Sequence, residues 1–166
     1  MGMLPDDIKP AMEGFIPSAV TTCSLDGTPN VSEVTQVDYV DQDHVALSFQ
    51  FFNKTINNIR ENPFASVLLR HPYTFERYTL DLEYDRSERE GPIFNRMDMR
   101  IEAIASITGM SDVFKLKAAD IYRVRSVTKW DTDISSPIHF RLPLPMFLGF
   151  MFLKLYIFIK KKIFRR

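Results

Sequence analysis

A chain of 166 residues that is 45% apolar can bury one core and is excluded from the disordered class. Its formal charge is zero, yet residues 137–166 hold 7 of the 21 basic residues and none of the 21 acidic ones, which leaves 14 basic against 21 acidic, net −7, on residues 1–136. So acidic a body excludes nucleic acid as a general partner, and the lone Cys23 excludes an intrachain disulfide framework and fits a reducing compartment.

Met1–Met12 contains Asp6, Asp7 and Lys9 and lacks the apolar core of a signal peptide, so the expected location is cytoplasmic. Leu4–Met12 suits a short helix with both aspartates in its first turn, and residues 1–14 read as a helical lead-in. After Pro17, Ser18–Ser24 is rich in Val and Thr and predicts a strand. Cys23 in that run reads as a small packed side chain, since no histidine lies nearby in sequence to activate a thiol. Asp26-Gly27 is a hairpin signal, because glycine accepts the positive φ such turns require. A return strand is expected from about Asn30 to Val40, then a turn at Asp41-Gln42-Asp43.

His44–Phe51 alternates Val45, Leu47, Phe49 and Phe51 with Ala46, Ser48 and Gln50, which predicts one core face and one small, polar face. The polar face either faces solvent or forms a strip beside the turn that follows. In that turn Asn53, Lys54 and Thr55 precede a helix of about two turns, which stops at Asn62-Pro63. Unpaired N–H groups and the dipole at a helix start suit an anion such as a phosphate, and Lys54 adds a cation. The alternative is a capped helix with Lys54 in water.

Phe64–Arg70 and Thr74–Tyr84 predict two more strands, with Asp85–Glu90 as a charged loop. Gly91-Pro92 opens a helix to about Thr108, with Ile93, Phe94, Met97, Ile101, Ile104 and Ala105 at helical spacing and Gly109 closing it. That stripe reads as packing. Ser111–Leu116 suits a further short helix and Ala119–Thr128 a last strand. Roughly six strands with helices at the edges and no βαβ repeat predict a mainly β, antiparallel barrel with flanking helices over residues 15–130.

Residues 131–166 form a separate tail, in which Met146–Ile159 is apolar apart from Lys154 and is followed by Lys160–Lys162, Arg165 and Arg166. The run is shorter than the ~20 residues a spanning helix needs, and its composition suits an interfacial anchor over residues 143–166. It also suits packing on the barrel or a partner subunit, or a scrambled continuation.

Three segments carry a resemblance: Ala19–Val31 with its Asp-Gly turn, Ser48–Pro63, and Phe64–Leu69. Together they resemble the pyridoxamine-phosphate-oxidase-like family of FMN-binding split barrels, over about Phe15 to Thr128. The resemblance implies a six-stranded antiparallel split barrel, a homodimer with two flavins between protomers, and hydride chemistry on a small molecule. It implies FMN contacts by Val34, Thr35 and Gln36 on the strand beside the ring, by Ser48, Phe49 and Gln50 on the next strand, and by Asn53, Lys54 and Thr55 at the phosphate. Phe51, Phe52 and Val34 are expected to supply the apolar slot.

Two departures from the vitamin-processing members stand out. An arginine near Ser32 is absent, and Asn53-Lys54-Thr55 replaces a Ser-Arg-Lys triplet, so the phosphate clamp has fewer cations. Ile138–Arg166 has no match to the segment that grips pyridoxal phosphate, which argues against that substrate. His44, His71 and His139 lack metal-ligand spacing, and no nucleophile motif or phosphate-binding glycine loop is present. The leading expectation is an FMN-dependent oxidoreductase. The alternatives are a non-catalytic sensory module binding flavin, deazaflavin or haem, and a membrane-associated scaffold.

Overall fold

The computed structural model describes residues 3–12, 16–50, 53–111 and 113–130. The expectations for Phe51, Phe52 and the tail 131–166 lie outside these residues. The described chain begins with a 3-10 helix, Asp6–Met12, wound tightly around Pro10. Seven strands follow: β1 (Ser18–Cys23), β2 (Pro29–Val34), β3 (Val37–Tyr39), β4 (His44–Phe49), β5 (Phe64–Arg70), β6 (Arg77–Glu88) and β7 (Ala118–Trp130). Helix α1 (Asn53–Glu61) lies between β4 and β5, and α2 (Pro92–Thr108) between β6 and β7.

The strands form one antiparallel sheet in the order β2-β1-β5-β6-β7-β4-β3. Strands β2 and β3 are consecutive in sequence yet occupy opposite edges, joined by Thr35 and Gln36 alone. In a flat sheet six interstrand steps would set those edges ~29 Å apart. Three Cα–Cα steps reach only ~11 Å. The sheet therefore curls until its edges meet, and the result is a half-barrel with flanking helices.

This crossing corrects the expected strand count from six to seven. The predicted Asn30–Val40 strand breaks at Thr35-Gln36, where the Gln36 carbonyl accepts the Ser48 N–H at 3.1 Å and the chain changes edge. Two further corrections concern the second half. Asp85–Glu88 continues β6 rather than looping out, because Arg86, Ser87 and Glu88 pair with Ile121, Asp120 and Ala119 of β7 past a register shift at Tyr84/Arg86, and Arg86 bridges Asp85 and Glu88 at the surface. Ser111–Leu116 does not form a helix: its described residues make only turn bonds from Val113 and Phe114 back to the Met110 carbonyl.

Alternation along the strands fills the barrel with Val20, Val34, Val37, Val45, Leu47, Val67, Leu69, Tyr78, Leu80, Leu82, Tyr122 and Val124. The 3-10 helix adds Leu4, Ile8, Ala11 and Met12 to the same core, and α1 adds Ile59. On the outer face α2 packs on β7 and buries Met97, Ile101 and Ala105. Gly109, at φ 67°, ends α2 in the left-handed cap that glycine favours. Asp38 on β3 ties this layer down, accepting from Arg96 Nε at 2.7 Å and Arg100 Nη1 at 2.8 Å. No helix among the described residues is long and apolar enough to cross a membrane.

Candidate functional site

Strand β4 carries the chain to one end of the barrel, where α1 starts and lies over β1 and β2. The contact is polar. Thr55 Oγ1 accepts from Asn30 Nδ2 at 3.0 Å and lies 2.7 Å from Ser32 Oγ. One turn on, Asn58 Nδ2 donates to Thr22 Oγ1 at 3.1 Å, and beyond the helix Asn62 Nδ2 donates to the Cys23 carbonyl at 3.1 Å. Short neutral side chains on two strands thus fix the helix start. Asn53 and Lys54 project into solvent there, beside backbone N–H groups that lack intrahelical partners.

Beside this helix start a recess of about 20 Å³ opens into the barrel, lined by Val20, Val34, Leu47, Ser48, Phe49, Thr55, Ile56, Asp120 and Tyr122. That volume holds about one water. A flat ring system is too large for it, so a large ligand would lie across its mouth. Lys117 leans over the Phe49 ring, with Nζ 5.7 Å from the centroid, and brings a second cation to the rim.

Asp120 is the buried acid of this recess. Desolvation raises its pKa above the ordinary carboxylate value, against a hydrogen bond from Ser87 and the positive charge of Arg89. Ser87 Oγ lies 2.9 Å from Tyr84 Oη, and the Tyr84 ring meets Tyr122 edge-on at 5.6 Å. Burial pushes the Tyr122 hydroxyl upward, and the negative charge of Asp120 adds to that. The recess wall is therefore poorly solvated and disfavours charge on both groups.

The expected contact residues fall into three groups. Val34, Ser48, Phe49 and Thr55 line the recess, and Asn53 and Lys54 stand exposed at the helix start. Thr35, Gln36 and Gln50 gather beside the edge crossing, where Gln50 Nε2 donates to Thr35 Oγ1 at 2.9 Å. Gln36, Ser48 and Gln50 are each only 2% exposed, so the solvent-facing alternative for Ser48 and Gln50 does not hold. Among the described residues, Gln36 Oε1, Ser48 Oγ and Gln50 Oε1 are buried with no hydrogen-bond partner. Such atoms are uncommon and costly, so each calls for a hydrogen-bond partner.

Sequence reasoning missed Asp120 and Lys117. A signal for Asp120 was present, since it is the single acid between Ala118-Ala119 and Ile121-Tyr122. Lys117 had none, because its position over Phe49 depends on the Lys117 N–H bonding the Phe49 carbonyl at 2.8 Å. The two described histidines lie elsewhere: His44 Nδ1 sits 2.9 Å from Asp41 Oδ1, and His71 Nδ1 accepts the Thr74 N–H at 3.1 Å. Among the described residues no cluster has the makings of a metal site.

Comparison with known proteins places this geometry. The sequence profile of one family, pyridoxamine 5'-phosphate oxidase, matches residues 4–125. No curated protein matches the sequence. Among solved structures, an FMN-binding protein from Syntrophomonas wolfei superposes with a TM-score of 0.61 at 13% identity, over 74% of this chain and 84% of its own. An F420 reductase superposes with a TM-score of 0.52 at 13% identity, over 75% of this chain and 98% of its own. HutZ, the heme storage protein from Vibrio cholerae, gives 0.50 at 18% identity, over 78% of this chain and 95% of its own. At these identities the likeness is one of fold.

Proposed function

The chain belongs to the pyridoxamine 5'-phosphate oxidase family, and from that premise we propose that it binds FMN at the α1 end of the barrel and serves as an oxidoreductase for a small molecule. The observation that carries this reading is the trio of buried polar oxygens, Gln36 Oε1, Ser48 Oγ and Gln50 Oε1, that have no partner among the described residues. FMN brings matching donors in its ribityl hydroxyls and its ring N–H. The first turn of α1 with Lys54, helped by Lys117, would hold the phosphate. Val34 and Phe49 would meet the ring.

Bound FMN supplies a ring that takes up or gives up a hydride. The chain's own residues orient it, keep water to about one molecule in the recess, and set beside it the buried Asp120 carboxyl, whose pKa burial raises. A deazaflavin offers comparable phosphate and hydroxyl chemistry and is the second reading, in keeping with the fold shared with an F420 reductase. Haem is the third reading, in keeping with the fold shared with HutZ; neither described histidine, His44 or His71, lines the recess.

The test is the visible absorption spectrum of purified protein before and after adding FMN and removing the excess by gel filtration. Retained flavin absorbance, followed by its bleaching and recovery through turnover with a nicotinamide donor, supports the oxidoreductase. Retention without turnover supports a sensory module. An unchanged, colourless protein overturns the assignment.

A further inference from the structure

We infer that the opposite end of the barrel, formed by the β5–β6 loop and the last residues of β7, is a surface that meets an anionic lipid headgroup layer. Tyr73, Phe75 and Trp130 are 75%, 57% and 49% exposed. They share one end because Arg70 pairs with Arg77 and Arg77 with Trp130, so the loop between β5 and β6 projects just beyond that row. The loop is built to hold its rings outward. His71 N–H bonds the Glu76 carbonyl at 2.8 Å, Phe75 N–H bonds the His71 carbonyl at 3.0 Å, and Phe75 itself holds φ 60°. A bulky residue rarely adopts that conformation. Arg77 lies over the Trp130 ring at 5.4 Å, and the indole N–H donates to Thr79 at 2.7 Å. Tyrosine and tryptophan, rings with one polar edge, favour the headgroup level of a bilayer, and phenylalanine adds apolar contact at the same boundary.

The sequence leaving this end argues for lipid as the cover. Beyond Trp130 the chain leads into residues 143–159, whose only charge is Lys154, and then into Lys160–Lys162, Arg165 and Arg166. An apolar run with a basic end and no acid partitions to an anionic interface. The rest of the chain carries net −7 and is repelled by the same lipids, so the charge attraction comes from the tail and the apolar contact from the three rings. The other end of β7, at Ala118, lies about 40 Å along the strand. The recess would then open away from the bilayer.

The chain contains one tryptophan, so Trp130 reports on this end alone. The full chain is mixed with vesicles of phosphatidylcholine, with or without phosphatidylglycerol, whose acyl chains are brominated near the headgroup. Sedimentation with the anionic vesicles, a blue shift of Trp130 emission and its quenching by bromine are expected. The double variant Tyr73→Ser with Phe75→Asn, in which asparagine tolerates the positive φ, should weaken sedimentation roughly fivefold to tenfold. Vesicle binding with unshifted, unquenched Trp130 emission would mean that the tail alone makes contact and would overturn the inference. So would no binding, or undiminished binding by the double variant.

Discussion

Lys54 and Thr55 are neighbours with different tasks. The Thr55 hydroxyl is engaged by Asn30 and Ser32, so it serves the seating of α1, while the Lys54 ammonium stands in solvent at the helix start. If FMN phosphate lies there, Lys54→Ala should weaken FMN binding about tenfold, the scale of one charge-assisted contact at a partly exposed site. Fluorescence titration of FMN reads this directly, and equal affinity would return Lys54 to an ordinary surface lysine. Asp120 allows a prediction that does not depend on a ligand. Burial raises its folded pKa above the ordinary 3.8, so the stability it contributes is present below that value and is lost as pH rises through the raised pKa. At neutral pH the ionised carboxylate opposes folding. Asp120→Asn should therefore melt at a higher temperature than the parent near neutral pH, with the gap closing below 3.8. A variant that melts lower at neutral pH would show that Asp120 is held by partners rather than strained by burial.

Helix α1 is an element whose position depends on a few neutral hydrogen bonds. Thr55→Val keeps shape but leaves Asn30 Nδ2 and Ser32 Oγ short of a partner, which should cost about 1–2 kcal/mol, read as a lower urea midpoint at unchanged slope. An unchanged midpoint would mean that water replaces the hydroxyl without loss. The element itself was legible in sequence because Asn53 starts it and Asn62-Pro63 ends it. Phe64–Arg70 and Pro92–Thr108 were equally legible, the one from its apolar run after a proline, the other from Gly91-Pro92 and Gly109. The break at Thr35-Gln36 was not. Neither residue is a glycine or proline, and the chain changes edge only because the curled sheet brings β4 alongside to bond the Gln36 carbonyl. The extension of β6 through Asp85–Glu88 was hidden for the opposite reason. Local charge suggested a loop, whereas β7 beyond Ala118 supplied a partner strand and Asp120 an acceptor for the Ser87 hydroxyl. The contact set of the site was drawn from a resemblance. Its buried acid comes from a strand some 65 residues beyond α1, and no local pattern joins the two.

At the scale of the whole molecule, the two ends of the barrel carry different chemistry. One end has α1, the recess, Asp120 and Lys117; the other has exposed aromatic rings and the exit to a basic apolar tail. A single protomer provides a recess of about 20 Å³, far too small to enclose an isoalloxazine ring, which would lie over the mouth with one face open. Flavin chemistry in water needs that face covered, both to exclude solvent and to strengthen the polar contacts around the ring. A second copy of the chain is the cover that the family resemblance implies, and it would also offer donors to Gln36, Ser48 and Gln50. If so, cofactor binding and association are linked, because a ligand that binds only the dimer stabilises the dimer by mass action. Sedimentation velocity monitored at the flavin absorbance should then show bound FMN only on a species of about twice 19.3 kDa, with one flavin per chain, and dilution should release flavin as the dimer dissociates. Flavin sedimenting with the single chain at full occupancy would place the whole cofactor site within one protomer, and the three buried oxygens would then be met by the cofactor alone.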